Sequence, residues 1–132
     1  MSEKDSGPGV IAWVDLTVPD AVTVRDFYSQ VTGWRSDAVD MGGYSDFTML
    51  PKEGAQPVAG VCHARGVNEK LPPVWLIYIV VEDLAASMKR CLELGGKIVA
   101  PPRNLGPQAS YCVIEDPAGA KAALCQTTAP HI

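Results

Sequence analysis

Val10-Ile11-Ala12-Trp13-Val14-Asp15-Leu16-Thr17-Val18-Pro19-Asp20 alternates along its length and then breaks at an acidic residue. Val10, Ala12, Val14, Leu16 and Val18 fall on one side, and Ile11, Trp13, Asp15 and Thr17 on the other. This is the pattern of a strand with one wholly apolar face. After Pro19-Asp20, the residues Val24, Phe27, Tyr28 and Val31 recur at helical spacing within 21–32, and Gly33 stops the helix. The same order returns at one constant offset: Val18 meets Val81, Asp20 meets Asp83, Gly33 meets Gly96, and residues 58–63 lie on 121–126. Few residues are identical. What repeats is the succession of strand, acidic break, amphipathic helix, glycine and further strands, the mark of an internal duplication.

The remaining segments follow from turn residues and alternation. A turn at 40–43 leads to a strand over 44–50, a loop over 51–57 and a strand over 58–63, while 35–39 carries only a faint strand pattern of its own. Polar residues 65–73 end in Pro72-Pro73 and read as a linker. Residues 74–81 are an almost continuous apolar run and predict a buried strand. Glu82-Asp83 opens a helix through Leu94 with Leu84, Met88, Cys91 and Leu92 on its stripe, and Gly95-Gly96 closes it. Strands at 97–100, 110–115 and 120–126 complete the pattern, with Pro101-Pro102 and residues 116–119 as turns. The reading is an α+β fold: two tandem βαβββ modules, about 10–63 and 73–126, forming one domain over 1–132. The sheet is expected to curve around a central hollow, with the helices outside and residues 1–9 as a disordered lead.

Composition excludes several classes of function. The chain has 132 residues, 47% of them hydrophobic and 20% charged, with a net charge of −4. At this length a single domain buries roughly two-thirds of its unfolded surface. Only 11 Lys and Arg are scattered through the chain, without a basic stripe, so nucleic acid is not an expected partner. No apolar run approaches the roughly 18 residues of a membrane span, and residues 1–9 lack the apolar stretch of a signal peptide. A cytoplasmic location is expected, without membrane association. Cys62, Cys91, Cys112 and Cys125 have neither metal-site nor disulfide-framework spacing and read as reduced thiols.

With Trp13-Val14-Asp15-Leu16, Asp26-Phe27-Tyr28, Gly33-Trp34, Glu82-Asp83-Leu84, Gly95-Gly96 and Glu115-Asp116-Pro117-Ala118-Gly119 in this order, the chain resembles the vicinal oxygen chelate superfamily. That superfamily includes glyoxalase I, extradiol dioxygenases and the bleomycin and fosfomycin resistance proteins. The resemblance covers about residues 10–126. It implies a hollow that holds a divalent metal in the catalytic members, with His, Glu or Gln ligands on the first and last strand of each module. It also implies a homodimer as the default assembly.

Carried onto this chain, the four ligand positions fall on Trp13, Gly60, Leu76 and Ala123. None of these side chains offers a lone pair suited to a divalent ion. The expectation is therefore no metal site and no cofactor. The face that would line the hollow carries Trp13, Asp15 and Thr17, then Tyr44, Asp46 and Thr48, and from the second module Leu76, Tyr78 and Val80, with Tyr111 and Lys121. Such a lining suits a planar or partly apolar small molecule. Asp15 and His63 are the candidate catalytic residues, and Trp13, Asp15, Tyr44, Asp46, Thr48, Cys62, Leu76, Tyr78 and Tyr111 the candidate ligand-binding residues. Cys62-His63-Ala64-Arg65 gathers a thiol, an imidazole and a guanidinium at one strand end, whereas His131 lies in the C-terminal tail.

Three functions are consistent with these residues. One is sequestration of a small aromatic or partly apolar ligand, of the resistance type. Another is a glyoxalase- or dioxygenase-type lyase or isomerase whose ligands or catalytic groups have moved to Asp15, Asp46, His63 or Glu115. The third is an interaction module with a filled hollow.

Overall fold

A computed structural model describes residues 7–104 and 109–127. Residues 1–6 of the expected lead, and His131, lie outside the described residues. Eleven elements follow in order: β1 (Ile11–Val18), α1 (Ala21–Thr32), β2 (Arg35–Asp40), β3 (Ser45–Leu50), β4 (Ala59–His63), a 3₁₀ turn (Gly66–Asn68), β5 (Trp75–Val80), α2 (Leu84–Glu93), β6 (Lys97–Asn104), β7 (Ala109–Glu115) and β8 (Lys121–Thr127). This is the α+β class with two βαβββ modules. The faint strand expected over 35–39 is β2, an edge strand whose exposed residues give it little apolar alternation. The linker over 65–73 contains the 3₁₀ turn, which the sequence reading missed.

The chain divides into two compact units, one of residues Trp13–Trp75 and the other of the chain up to Ala12 together with Leu76 onward. In the Trp13–Trp75 unit the strands run in the order β2-β3-β4-β1, with β1 parallel to β4 and the other neighbours antiparallel. Asp20 caps α1 by accepting from the Thr23 backbone N–H at 3.1 Å and its hydroxyl at 2.8 Å. Gly33 ends α1 in the left-handed conformation at φ 82°, donating its N–H to the Ser29 carbonyl. The helix-facing core holds Leu16, Val18, Ala21, Phe47, Met49, Ala59 and Val61, packed by Val24, Tyr28, Trp34 and Trp75. Met49 and Val61 are wholly buried, each a contribution of about 1.5–3 kcal/mol.

The stripe on α1 is narrower than its spacing predicts. Val24 and Tyr28 pack inward, but Phe27 is 56% and Val31 64% exposed. Tyr28 compensates with an edge-on contact to Trp75, whose Nε1 donates to the Tyr28 hydroxyl at 3.1 Å.

In the second unit the order is β5-β8-β7-β6, with β5 parallel to β8. Asp83 caps α2 by accepting from the Ala86 N–H at 3.0 Å, and Leu84, Cys112 and Leu124 form the core beneath it with Ile79, Val81, Met88 and Ile114. Leu92, placed on the α2 stripe by spacing, is 58% exposed. Gly9 donates to the Val80 carbonyl at 2.7 Å, so the chain is already ordered before Val10, in contrast to the lead expected over 1–9.

Pro101-Pro102 does not end a strand as expected. β6 continues through both prolines to Asn104, with register shifts between Ile98 and Ala100 and between Ala100 and Arg103. An edge strand tolerates proline because its outward N–H needs no partner, and bulges absorb the misfit.

Candidate functional site

The sheet of the Trp13–Trp75 unit has a second face, opposite α1, where register and alternation gather the polar candidates. Asp15 pairs with Gly60 and Thr17 with Cys62 across β1 and β4, and Thr48 pairs with Gly60 across β3 and β4. Paired residues share a face, so Asp15, Thr17, Thr48, Gly60 and Cys62 form one patch, with Asp46 on the same side by alternation. The patch is largely sheltered: Thr17 and Asp46 are buried and Asp15, Thr48 and Cys62 half-buried.

Trp13 and Asp15 lie on the same side of β1, and the Trp13 Nε1 donates to Asp15 Oδ1 at 2.6 Å. That bond holds the carboxylate over Gly60. A Cβ added to Gly60 would run into Asp15 Oδ1 and would lie 3.3 Å from Asp15 Cγ and 3.5 Å from Trp13 Nε1. The missing side chain at 60 is thus the space that the Asp15 carboxylate occupies. A half-buried carboxylate needs a donor, and the indole supplies one.

Asp46 does structural work at the end of β4. Its Oδ1 accepts from the His63 backbone N–H at 2.8 Å and stands 3.4 Å from His63 Nδ1. The Asp46 carboxylate also accepts from the Cys62 thiol. His63 Nδ1 is buried and, among the described residues, has no aligned hydrogen-bond partner. The imidazole stands edge-on to Tyr44, with centroids 5.6 Å apart, and near Phe47 at 6.4 Å. Arg65 stacks its guanidinium 4.1 Å above the Tyr44 ring, and Arg25 covers Phe47 at 4.4 Å. Thus His63, Tyr44, Asp46 and Arg65 meet at the strand end. Burial pushes the Cys62 thiol well above the usual range, and the Asp15 and Asp46 carboxylates push it further. Such a thiol stays protonated and is a poor nucleophile at neutral pH.

In the second unit Leu76, Tyr78 and Tyr111 also lie opposite the helix-facing core. Tyr78 pairs with Ala123 and Tyr111 with Cys125, and the two tyrosine rings are 5.6 Å apart. All three candidate side chains are buried. The bulges in β6 bring Arg103 opposite Tyr111, its guanidinium 5.9 Å from the ring; Pro101-Pro102 reads as a turn in the sequence, so alternation gives no signal for Arg103. Glu115 is engaged by Lys121 at 3.0 Å and Lys97 at 3.9 Å. Asp116 organises its turn, accepting from the Ala118 N–H at 2.8 Å and the Ala120 N–H at 3.0 Å.

The metal positions carried over by resemblance do not fit a metal. Trp13 is a donor engaged with Asp15, Gly60 has no side chain and its space is taken, and Leu76 and Ala123 are hydrocarbon. Among the described residues, no group of three or more His, Cys, Asp or Glu side chains is gathered where it could hold an ion. No helix among the described residues is long and apolar enough to cross a membrane.

Two α-helices laid on strands in a repeated βαβββ order, each unit with a polar or aromatic face opposite its helix, define a glyoxalase-type protein. Residues 10–124 match the family model of the Glyoxalase/Bleomycin resistance protein/Dioxygenase superfamily, and the chain belongs to that superfamily. It is 31% identical to the protein named "Putative glyoxylase CFP32" of Mycobacterium tuberculosis, with 89% of this chain and 46% of the relative covered. It is 29% identical to the anthracycline biosynthesis protein DnrV of Streptomyces peucetius, over 86% of this chain and 45% of that protein. The chain therefore spans about half the length of these curated relatives. Among solved structures, the methylmalonyl-CoA epimerase of Mycobacterium tuberculosis has a similar fold, with a TM-score of 0.52 at 18% identity, covering 95% of this chain and 92% of that one.

Proposed function

We propose that this chain is a metal-free small-molecule binder of the superfamily, sequestering or presenting an aromatic or partly apolar ligand rather than activating it on a metal. The observation that carries this reading is the Trp13–Asp15–Gly60 arrangement, in which the space of a ligating side chain is filled by a carboxylate already bonded to an indole. Trp13 offers a flat apolar surface, and Asp15 and Thr48 offer acceptors that orient a polar group on the ligand. The second unit carries an aromatic pair of its own, Tyr78 and Tyr111, on the face opposite its helix. A relative named for anthracycline biosynthesis supports a planar aromatic ligand, since anthracyclines are fused planar ring systems. Homodimerisation and a cytoplasmic location belong to this proposal.

The test is calorimetric titration of the protein with a panel of planar aromatic compounds, followed by analysis of the recovered compound. Binding that saturates near one ligand per chain, with the compound unchanged and affinity lost in Trp13→Ala, is the expected result. Turnover that requires an added divalent metal would overturn it.

A second reading is favoured by one specific observation, the placement of His63 Nδ1 3.4 Å from Asp46 Oδ1. A carboxylate next to an imidazole is the arrangement of a positioned general base. In that reading the protein is a lyase or isomerase with relocated catalytic groups, and His63→Ala abolishes turnover while leaving binding intact.

A further inference from the structure

One concavity of the Trp13–Trp75 unit lies apart from the Trp13–Asp15 patch. It is an open groove of about 750 Å³ where the end of α1, the start of β2 and the loop after β3 meet. Ser29, Gln30, Trp34, Arg35, Asp37 and Glu53 are among the residues that line it.

Two features, the end of α1 and Asp37, give this groove a net negative sign. α1 ends here, and a helix C-terminus carries a partial negative charge that a basic residue in the last turn usually offsets; α1 has none. Arg35 is opposed by Glu53 across 3.7 Å, and both side chains are largely exposed, so this is a weak and displaceable pair. Asp37 then leaves the lining with one net negative charge. Beside these groups stands Trp34, half-buried, whose indole packs 6.0 Å from both Tyr28 and Trp75. An indole next to uncompensated negative charge is the chemistry that recognises organic ammonium ions, by attraction to the ring face and to the carboxylates together.

We propose that this groove is a binding site for a small organic cation bearing a quaternary or protonated amine. It is separate from the strand-face site, so either can exist without the other. An anion would meet the helix end and two carboxylates against the single guanidinium of Arg35, and an uncharged apolar molecule would gain little from the polar lining.

The experiment uses the full chain labelled with ¹⁵N, titrated with choline and, separately, with 3,3-dimethylbutan-1-ol, its uncharged carbon isostere. The indole N–H signals of Trp13, Trp34 and Trp75 serve as local reporters. Choline is expected to shift Trp34 saturably and leave Trp13 in place, whereas the isostere shifts neither. The double variant Asp37→Asn/Glu53→Gln, whose substitutions lie at exposed positions that leave the core untouched, is expected to bind choline about threefold to tenfold more weakly. The proposal is overturned if choline moves no Trp34 signal, if the isostere binds as well as choline, or if the double variant binds choline unchanged. A shift at Trp13 alone would likewise overturn it, while supporting a ligand at the strand-face site.

Discussion

Asp15 occupies the space above Gly60. The carboxylate is held there by the Trp13 indole at 2.6 Å, and any Cβ on residue 60 would collide with it. Two residues on neighbouring parallel strands thus define each other: the glycine exists where the carboxylate needs room. Gly60→Ala is expected to destabilise the fold by about 1–3 kcal/mol in urea unfolding, the usual cost of overpacking a filled site. Gly60→Ala combined with Asp15→Ala should be less destabilised than the sum of the single variants, because removing the carboxylate restores the space. Additive losses would show that the two residues are not coupled.

Cys62 should be a slow-reacting thiol despite its partial exposure. Burial and two nearby carboxylates hold its proton, with Asp46 accepting from the thiol directly. Cys112 is also shifted, pushed up to about 11 mainly by burial. Alkylation with iodoacetamide at pH 8, followed site by site by peptide mass spectrometry, is expected to label Cys62 slowly and to label it faster in Asp46→Asn, where one of the opposing charges is gone. Rapid labelling of Cys62 in the unaltered protein would contradict the described environment.

Asp20 gives the fold an acid-sensitive element. Hydrogen bonds from the Thr23 hydroxyl and N–H hold its carboxyl below the ordinary range. A carboxyl lowered in the folded state adds stability that is present above its unfolded pKa of about 3.9 and is lost as the pH falls through the lower folded value. Asn caps helices about as well as Asp. Asp20→Asn should therefore leave Tm at pH 7 nearly unchanged and flatten its fall below pH 4, measured by thermal melts across the acid range.

Pro101 and Pro102 protect an edge. β6 is the outer strand of its unit, and its two prolines and register shifts leave few N–H groups in line for another strand. Replacing both prolines with valine is expected to increase self-association, seen as a concentration-dependent rise in light scattering. Unchanged scattering would mean that the edge is protected by other means.

Much of the fold was legible because the strongest signals were local. The alternation of β1, the caps at Asp20 and Asp83 and the stop at Gly33 each depend on a few neighbouring residues. The misses depended on tertiary position. Phe27 and Leu92 match their helical stripes by spacing but lie at the flank, and only packing decides which edge of a stripe is covered. Pro101-Pro102 reads as a turn until its place on an edge strand is known. At the site, strand alternation sufficed to put Trp13, Asp15, Thr48 and Cys62 on one face. It could not show that Asp46 is spent on the His63 N–H, nor that Tyr44 belongs to the rim with His63 and Arg65. The groove beside Trp34 had no sequence signal, since its lining comes from two separate stretches, 29–37 and 50–55.

On the proposed function, this superfamily member works without a metal ion. This is tested most directly by elemental mass spectrometry of the protein after incubation with nickel, zinc, manganese and ferrous iron and thorough desalting. No more than trace metal per chain is expected under every condition, whereas near-stoichiometric retention of any one of the four would contradict a metal-free function.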